Sequence, residues 1–436
     1  MAGLGRSFGF LCSSTALSNL ADGVLKIGAP LLAVSMTRSP LLVSLVGAAT
    51  TVPWLLFALH AGAIADRADR RRIMVLAHSA RAAILVGVAL LAALGMLDLW
   101  LLLAAVLLVG VSEVFADLSA QSILPMTVPR EHLTRANGRV STVQLIGNDF
   151  LGAPLAGLLV AALPAVVFGA PALLYGVAAI LLLGMRGTFA LPTTAHPTGN
   201  APAIDARTGG GELRTRRRRT LVADIGEALR YLWSHSVLRS MAIAAGLLNL
   251  AGSAYLAVFV LWAVGDESMI GLEPSQYGLM MTAFAAGAVI GSLLSGRAAG
   301  IFGEFRTILG GWLIGSLLYL VPVIVPSPWA LYPTVVLWGV TGAGANVLVI
   351  SARQRLIPAQ LLGRVNSAYR LVGMGGMPLG AALAGVLAEF VGLAAVLAGA
   401  TGVCLAAVGL VWRGLWKQIS RPLTSEPALS DISRSR

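Results

Sequence analysis

The stretch GAIADRADRRRIM, residues 62–74, stands where one long apolar run ends and the next begins. Residues 41–65 before it and 73–95 after it are each long enough to cross a bilayer as a helix, which takes ~20 apolar residues. Only residues 66–72 are left to turn the chain, and Arg67, Arg70, Arg71 and Arg72 lie among them. Positive charge of this density marks the cytoplasmic end of a helical hairpin. A solvated basic turn of any membrane protein would read the same way, so the rest of the chain must decide.

The 436 residues are 57% hydrophobic and 11% charged, far from the ~25% charged of soluble domains. The chain reads as an all-α integral membrane protein. A net charge of +12 is what such a protein accumulates in its cytoplasmic loops, so no nucleic-acid partner is expected. Of the two lysines, Lys26 and Lys417, neither follows a glycine-rich phosphate loop, and neither an ATPase site nor an enzyme is expected. Cys12 and Cys404 fall in apolar runs near opposite ends, which gives no support to a disulfide, a metal or a cofactor. Ser13, Ser14, Asn19 and Asp22 interrupt the first apolar run, which therefore reads as an uncleaved span, not a signal peptide.

Apolar runs bounded by charge, Pro or Gly predict twelve spans. They cover residues 8–36, 41–65, 73–95, 99–126, 138–162 and 166–185, then 238–264, 276–297, 307–325, 329–352, 365–390 and 394–412. Arginines crowd one set of ends, at Arg6, Arg67 to Arg72, Arg135, Arg139, Arg297, Arg306, Arg353, Arg355 and Arg413. The opposite loops carry Arg38 with Asp98, Asp266, Glu267 and Glu273. This asymmetry places both termini in the cytoplasm. The organisation expected is an N-terminal six-helix bundle (1–186), a cytoplasmic linker (187–236), a C-terminal six-helix bundle (237–416) and a disordered polar tail (417–436). Within the linker, Leu221, Ile225, Leu229 and Leu232 share one face of a helix, opposite Asp224, Glu227 and Arg230. That pattern, after Arg214 and Arg216 to Arg219, predicts a helix lying on the inner leaflet among anionic headgroups.

A weak internal repeat supports two halves. Pro129, Gly138-Arg139-Val140, Pro154-Leu155 and Ala156-Gly157 recur as Pro358, Gly363-Arg364-Val365, Pro378-Leu379 and Ala384-Gly385.

Gly62, Asp66, Arg67, Arg70 and Arg71 reproduce a pattern that resembles the signature between the second and third spans of the major facilitator superfamily. Asp69 stands where a second Gly is usual, a departure familiar from the exporter branch with siderophore and macrolide efflux proteins. The stretch from Arg353-Gln354-Arg355 through residues 363–370 to Pro378-Leu-Gly-Ala-Ala resembles the same branch, as do Glu113-Val-Phe-Ala-Asp117 and Leu124-Pro125. The resemblance implies two pseudo-symmetric six-helix bundles and alternating access. It also implies a gating hairpin whose Asp66 approaches the start of the eleventh span at Gly363 and Arg364. Gly147, Gly152, Pro154 and Gly157 resemble the glycine-proline motif of antiporters, with Ala153 in place of its first glycine; close helix packing explains them equally well. The fourth-span arginine of many drug antiporters is absent, the segment reading Leu118-Ser-Ala-Gln121.

Ionisable groups inside spans are costly enough to be functional candidates. Asp22 and Lys26 are spaced to pair at i,i+4. Glu113 and Asp117 share that spacing with like charge, Asp149 lies near the middle of the fifth span, and Arg81 and Arg370 lie on the third and eleventh. Four carboxylates of the first half thus face two cations, Lys26 and Arg81. Desolvation and like charge both disfavour ionisation, which is the physical requirement for a proton carrier. Asp149, near Glu113, is the expected carrier; Asp22 competes if Lys26 points elsewhere, and pairing with Arg81 is the purely structural alternative. In the second half Asn249, Tyr255, Asn346 and Tyr369 offer neutral hydrogen bonding among apolar walls, which suits bulky amphipathic compounds. The expected function is export of such a small molecule, a drug, antibiotic, siderophore or secondary metabolite, by a monomer in membrane lipid of the plasma membrane. The proton gradient, and no cofactor, would supply the energy. An importer or uniporter of the same fold, or a permease relative that does not transport, stays open; a transporter must keep polar groups of both halves facing one cavity.

Overall fold

The computed structural model describes residues 5–187, 189, 221–357 and 362–419. Fifteen α-helices follow one another there. The first half holds α1 (Arg6–Met36), α2 (Pro40–Arg67), α3 (Arg70–Ala93), α4 (Leu99–Thr127), α5 (Leu133–Leu145), α6 (Ala153–Ala162) and α7 (Pro164–Leu183). After α8 (Leu221–Ser234) come α9 (Ser236–Ala263), α10 (Pro274–Phe302), α11 (Glu304–Leu318), α12 (Val321–Ile324), α13 (Pro328–Leu356), α14 (Leu362–Val391) and α15 (Leu393–Ile419). A π-helical stretch at Ile146–Gly152 joins α5 to α6 as one span, and α11 with α12 makes another. Twelve spans result among the described residues, as the hydropathy pattern predicts. Spans alternate in direction, so the molecule has a terminal end, where α1 begins, and a far end.

Local chemistry sets the turns. Pro40, Pro164, Pro274 and Pro328 open helices at positions where a missing N–H costs nothing. Gly303 (φ 85) and Gly392 (φ 80) take left-handed conformations in the turns before α11 and α15.

The charged hairpin is tighter than the apolar runs suggest, because arginines continue a helix beyond the hydrocarbon as readily as leucines. Helix runs through Arg67 and resumes at Arg70, leaving Ala68 and Asp69 to turn. Asp69, the departure from the signature, is the N-cap of α3: its Oδ1 accepts from the Arg71 N–H at 2.9 Å and the Arg72 N–H at 3.3 Å. The arginines are not a merely solvated face. Arg71 donates to the Leu182 and Leu183 carbonyls at 2.8 and 2.7 Å, satisfying the open C-terminal end of α7, where positive charge is favoured. Arg70 is buried and donates to the Phe189 carbonyl at 3.0 Å. Gly62 is half-buried. The side chains of Asp66, Arg67 and Arg364, and Gly363 beyond its helical backbone, lie outside the described residues.

The halves meet at the far end. Arg38 donates to the Val264 carbonyl at 3.0 Å and lies 3.8 Å from Glu267. Glu389 accepts from Ser39 and, at 3.4 Å, from the Leu41 N–H. Glycines allow the backbones to touch: Gly385 of α14 lies against Leu41 and Ser44 of α2, and Gly157 of α6 against Pro274 and Ser275 of α10. One apolar core runs through both halves here, from Ala21, Val46 and Tyr175 to Tyr255, Val335 and Cys404. Toward the terminal end the cores separate, one around Phe8, Ile123 and Met185, the other around Leu238, Leu348 and Val365. The molecule is therefore closed at the far end and parted at the other.

Helix α8 corrects the leaflet expectation in part. Leu232 is fully buried in the core of the second half, Leu229 packs on it, and the Tyr231 hydroxyl donates to the Leu356 carbonyl at 3.3 Å. Only His235 separates α8 from α9, so the short tether holds its apolar face on the bundle. Arg230 is exposed. The side chains of residues 221–225 and 227–228, Arg214, Arg216 to Arg219 and the tail from residue 420 lie outside the described residues.

Candidate functional site

Arg81 is the largest fully buried side chain of the protein's described residues. It sits 11 residues into α3, ~16 Å along the helix and near the middle of a bilayer. Its Nη2 lies 3.2 Å from Asp22 Oδ1 on α1 and 3.3 Å from Glu113 Oε2 on α4. Its Nε donates to the Val109 carbonyl at 3.3 Å, and its guanidinium lies 4.7 Å from the Tyr175 ring centroid. The Tyr175 hydroxyl of α7 donates to Asp22 Oδ1 at 2.5 Å. Trp54 of α2 hydrogen-bonds Glu113, and Asp117 is close enough to act on Arg81 electrostatically. Five helices therefore converge on one guanidinium.

A buried ion network of this kind survives only if its members satisfy one another. Here a single positive charge faces Asp22, Glu113 and Asp117. Asp22 is held on two sides and its side chain is 12% exposed, whereas that of Glu113 is 29% exposed. Of these two carboxylates Glu113 is the more accessible.

The expected Asp22–Lys26 pair is not formed. The i,i+4 rule describes an isolated helix, and a buried arginine on a neighbouring helix, together with a phenol, outcompetes a flexible lysine. Lys26 carries no ion pair among the described residues and is the one exposed residue between positions 7 and 34 of α1. That helix packs on α2, α4, α5, α6, α7 and α9. Asp149 does not join Glu113 either. It lies half-buried on the π-helical stretch without an ion pair among the described residues; the Glu113 carboxylate answers to Asp22, Arg81 and Asp117 instead. Gly147 and Gly152 flank Asp149 and let the segment lie directly on α1 at Leu20 and Gly23.

In the second half, Asn249, Asn346 and Tyr369 line a cavity of about 390 Å³, whereas Tyr255 is buried in the core and donates to the Tyr319 carbonyl at 3.0 Å. Arg370 lines it as well, and so does Arg353, which the charge pattern assigned to a helix end. The Arg353 guanidinium lies 3.9 Å from the Tyr369 ring centroid. Asn249 donates to the Gly373 carbonyl at 3.0 Å, and Tyr319 and Trp338 form an edge-to-face pair on the wall. The cavity is aromatic and cationic, not the charge-poor pocket expected from composition.

Residues 5–196 and 211–421 match the family described as transmembrane secretion effector. The chain belongs to that family of the major facilitator superfamily. Relatives of this chain include the enterobactin exporter EntS of Citrobacter koseri, 27% identical over 416 residues, 92% of this chain and 88% of that protein. EntS of Escherichia coli O1:K1 is 28% identical over 386 residues, 85% of this chain and 82% of its own. Among solved structures, the nucleoside transporter NupG superposes with a TM-score of 0.70 at 10% identity, covering 94% of this chain and 99% of that one. A bacterial homologue of the lysosomal transporter Spinster, inward-facing and occupied, gives 0.67 at 14%, over 95% and 97%. At such identities these likenesses show the shared fold alone.

Three members of the buried site, Trp54, Tyr175 and His78, escaped the sequence reading. Tyr175 sits in a purely apolar run and gives no signal. His78 does, as an ionisable residue three positions before Arg81 within a span; it stacks on Tyr175 at 5.9 Å with both ring nitrogens unbonded among the described residues.

Proposed function

We propose that this protein exports an amphipathic small molecule of the siderophore type in exchange for protons, its halves (1–186 and 237–416) rocking between two closures. The observation that carries the coupling is one buried guanidinium shared by three carboxylates. Three carboxylates beside one cation cannot all be charged cheaply in a low-dielectric site, so a proton must travel with them. Asp22 stays bound to Arg81 and Tyr175 as the fixed anion. Glu113, the more exposed member, carries the proton, with Asp117 one turn away to share it. Lys26 from the first half and Arg353, Arg370, Asn249 and Asn346 from the second supply polar contacts for the substrate, among aromatic walls. Export, as opposed to import, is supported by the EntS relatives.

Glu113→Gln is expected to lose pH-gradient-driven flux in everted vesicles while retaining substrate exchange, and Asp149→Asn to keep both. Full gradient-driven flux in both Glu113→Gln and Asp117→Asn would remove the proton from this cluster.

The arginine asymmetry puts the terminal end in the cytoplasm, which makes the parted end the cytoplasmic one. Cysteines placed at Ser39 and Ser268 should then react with an impermeant thiol reagent outside intact cells, and one at Thr208 should not. The opposite labelling would invert the topology.

A further inference from the structure

A cavity of about 960 Å³ lies away from both sites just described, at the terminal end of the first half. Its floor is the start of α1 (Phe8, Cys12), and α5 (Arg135, Arg139) and α7 (Leu181) form its walls. α7 packs on α6, whereas α5 makes no comparable contact with α7, and the cavity forms a wedge between these two helices beside the start of α1. Arg6 and Arg135 are exposed and Arg139 is half-buried, and none of the three has an ion pair among the described residues. Phe8, Val143 and Leu181 give the deeper wall an apolar surface.

Three unpaired guanidiniums above an apolar slot are complementary to one kind of membrane component. We propose that the wedge is a binding site for an anionic phospholipid, its headgroup phosphate held by Arg6, Arg135 and Arg139 and its acyl chain lying between α5 and α7. Arginine suits a phosphate because its planar fork matches two phosphate oxygens at once. An anionic headgroup is also favoured beside the opening turns of α1 and α5, whose dipoles point positive ends into the wedge.

Cys12 is a native reporter, since it lines the wedge while Cys404 is buried. The full chain, with Cys404→Ser, would be placed in nanodiscs of phosphatidylcholine with or without phosphatidylglycerol, and alkylation of Cys12 by a neutral maleimide followed by mass spectrometry. Phosphatidylglycerol is expected to slow labelling by at least about tenfold, within the roughly 100-fold that three arginines at an anionic surface can give. Arg135→Gln with Arg139→Gln should abolish the protection, and Arg135→Lys with Arg139→Lys should largely keep it, which separates lost charge from lost folding. Equal labelling in the two lipids, or protection that survives the double glutamine variant, would overturn the site. So would equal protection by inorganic phosphate in phosphatidylcholine discs, which would assign the wedge to a soluble anion.

Discussion

Arg81→Gln is expected to be the most destabilising single substitution in the protein. Removing one partner of a buried ion pair leaves the other charge uncompensated, at a cost of about 3–5 kcal/mol, and here two carboxylates, Asp22 and Glu113, lose their cation together. The Tyr175 hydroxyl can still support Asp22, so Glu113 suffers most. Thermal unfolding in detergent should show the loss as a lower midpoint. Adding Glu113→Gln to Arg81→Gln should recover much of that stability without restoring gradient-driven transport, because the stranded charge is removed but the coupling network is gone. A single variant as stable as the parent would mean that Arg81 is dispensable to the fold.

Gly385→Val should act on the opposite property, leaving each half intact and preventing their closure. A side chain at Gly385 would overlap the Ser44 hydroxyl and come within 2.9 Å of Leu41 Cα; backbone cannot yield as a flexible side chain can. About 3 kcal/mol of overpacking confined to the far-closed state changes a two-state ratio on the order of 100-fold. Cysteines replacing Ser39 and Glu389 read the closure directly, since these residues touch in the parent. They should cross-link readily there and poorly beside Gly385→Val, and transport should fall with the cross-link. Undiminished cross-linking would show that α2 and α14 can close without close backbone approach.

Much of this architecture is legible in the sequence, because span length and arginine placement answer to the bilayer and not to neighbours. The repeat Ala156-Gly157 and Ala384-Gly385 was visible too, though not its use: the two glycines occupy matching places in the two halves and form the close contacts across the far end. The site was half legible. Glu113, Asp117 and Arg81 announce themselves as charges in apolar runs, but which charges meet depends on how helices rotate about their axes. Lys26 was paired by a rule for one helix, when the decisive partner, Arg81, stands on another. For Asp149 the difficulty lies in the backbone, since a helical wheel drawn at 3.6 residues per turn misplaces any side chain on a π-helical turn. Arg353 does stand in the last turn of α13, as the charge pattern implied, but nothing in the sequence shows that this turn borders the cavity.

That π-helical stretch also bears on how the protein can change by single insertions and deletions. A π turn holds the one extra residue that an α-helix would omit, so losing a residue anywhere in Ile146–Gly152 restores an ordinary helix and keeps α5 and α6 in phase. The same loss elsewhere along a span rotates everything beyond it by about 100°. For the fifth span that rotation would carry Gly157 off Pro274. Length variation in this span should therefore be tolerated within those seven residues and rejected on either side of them.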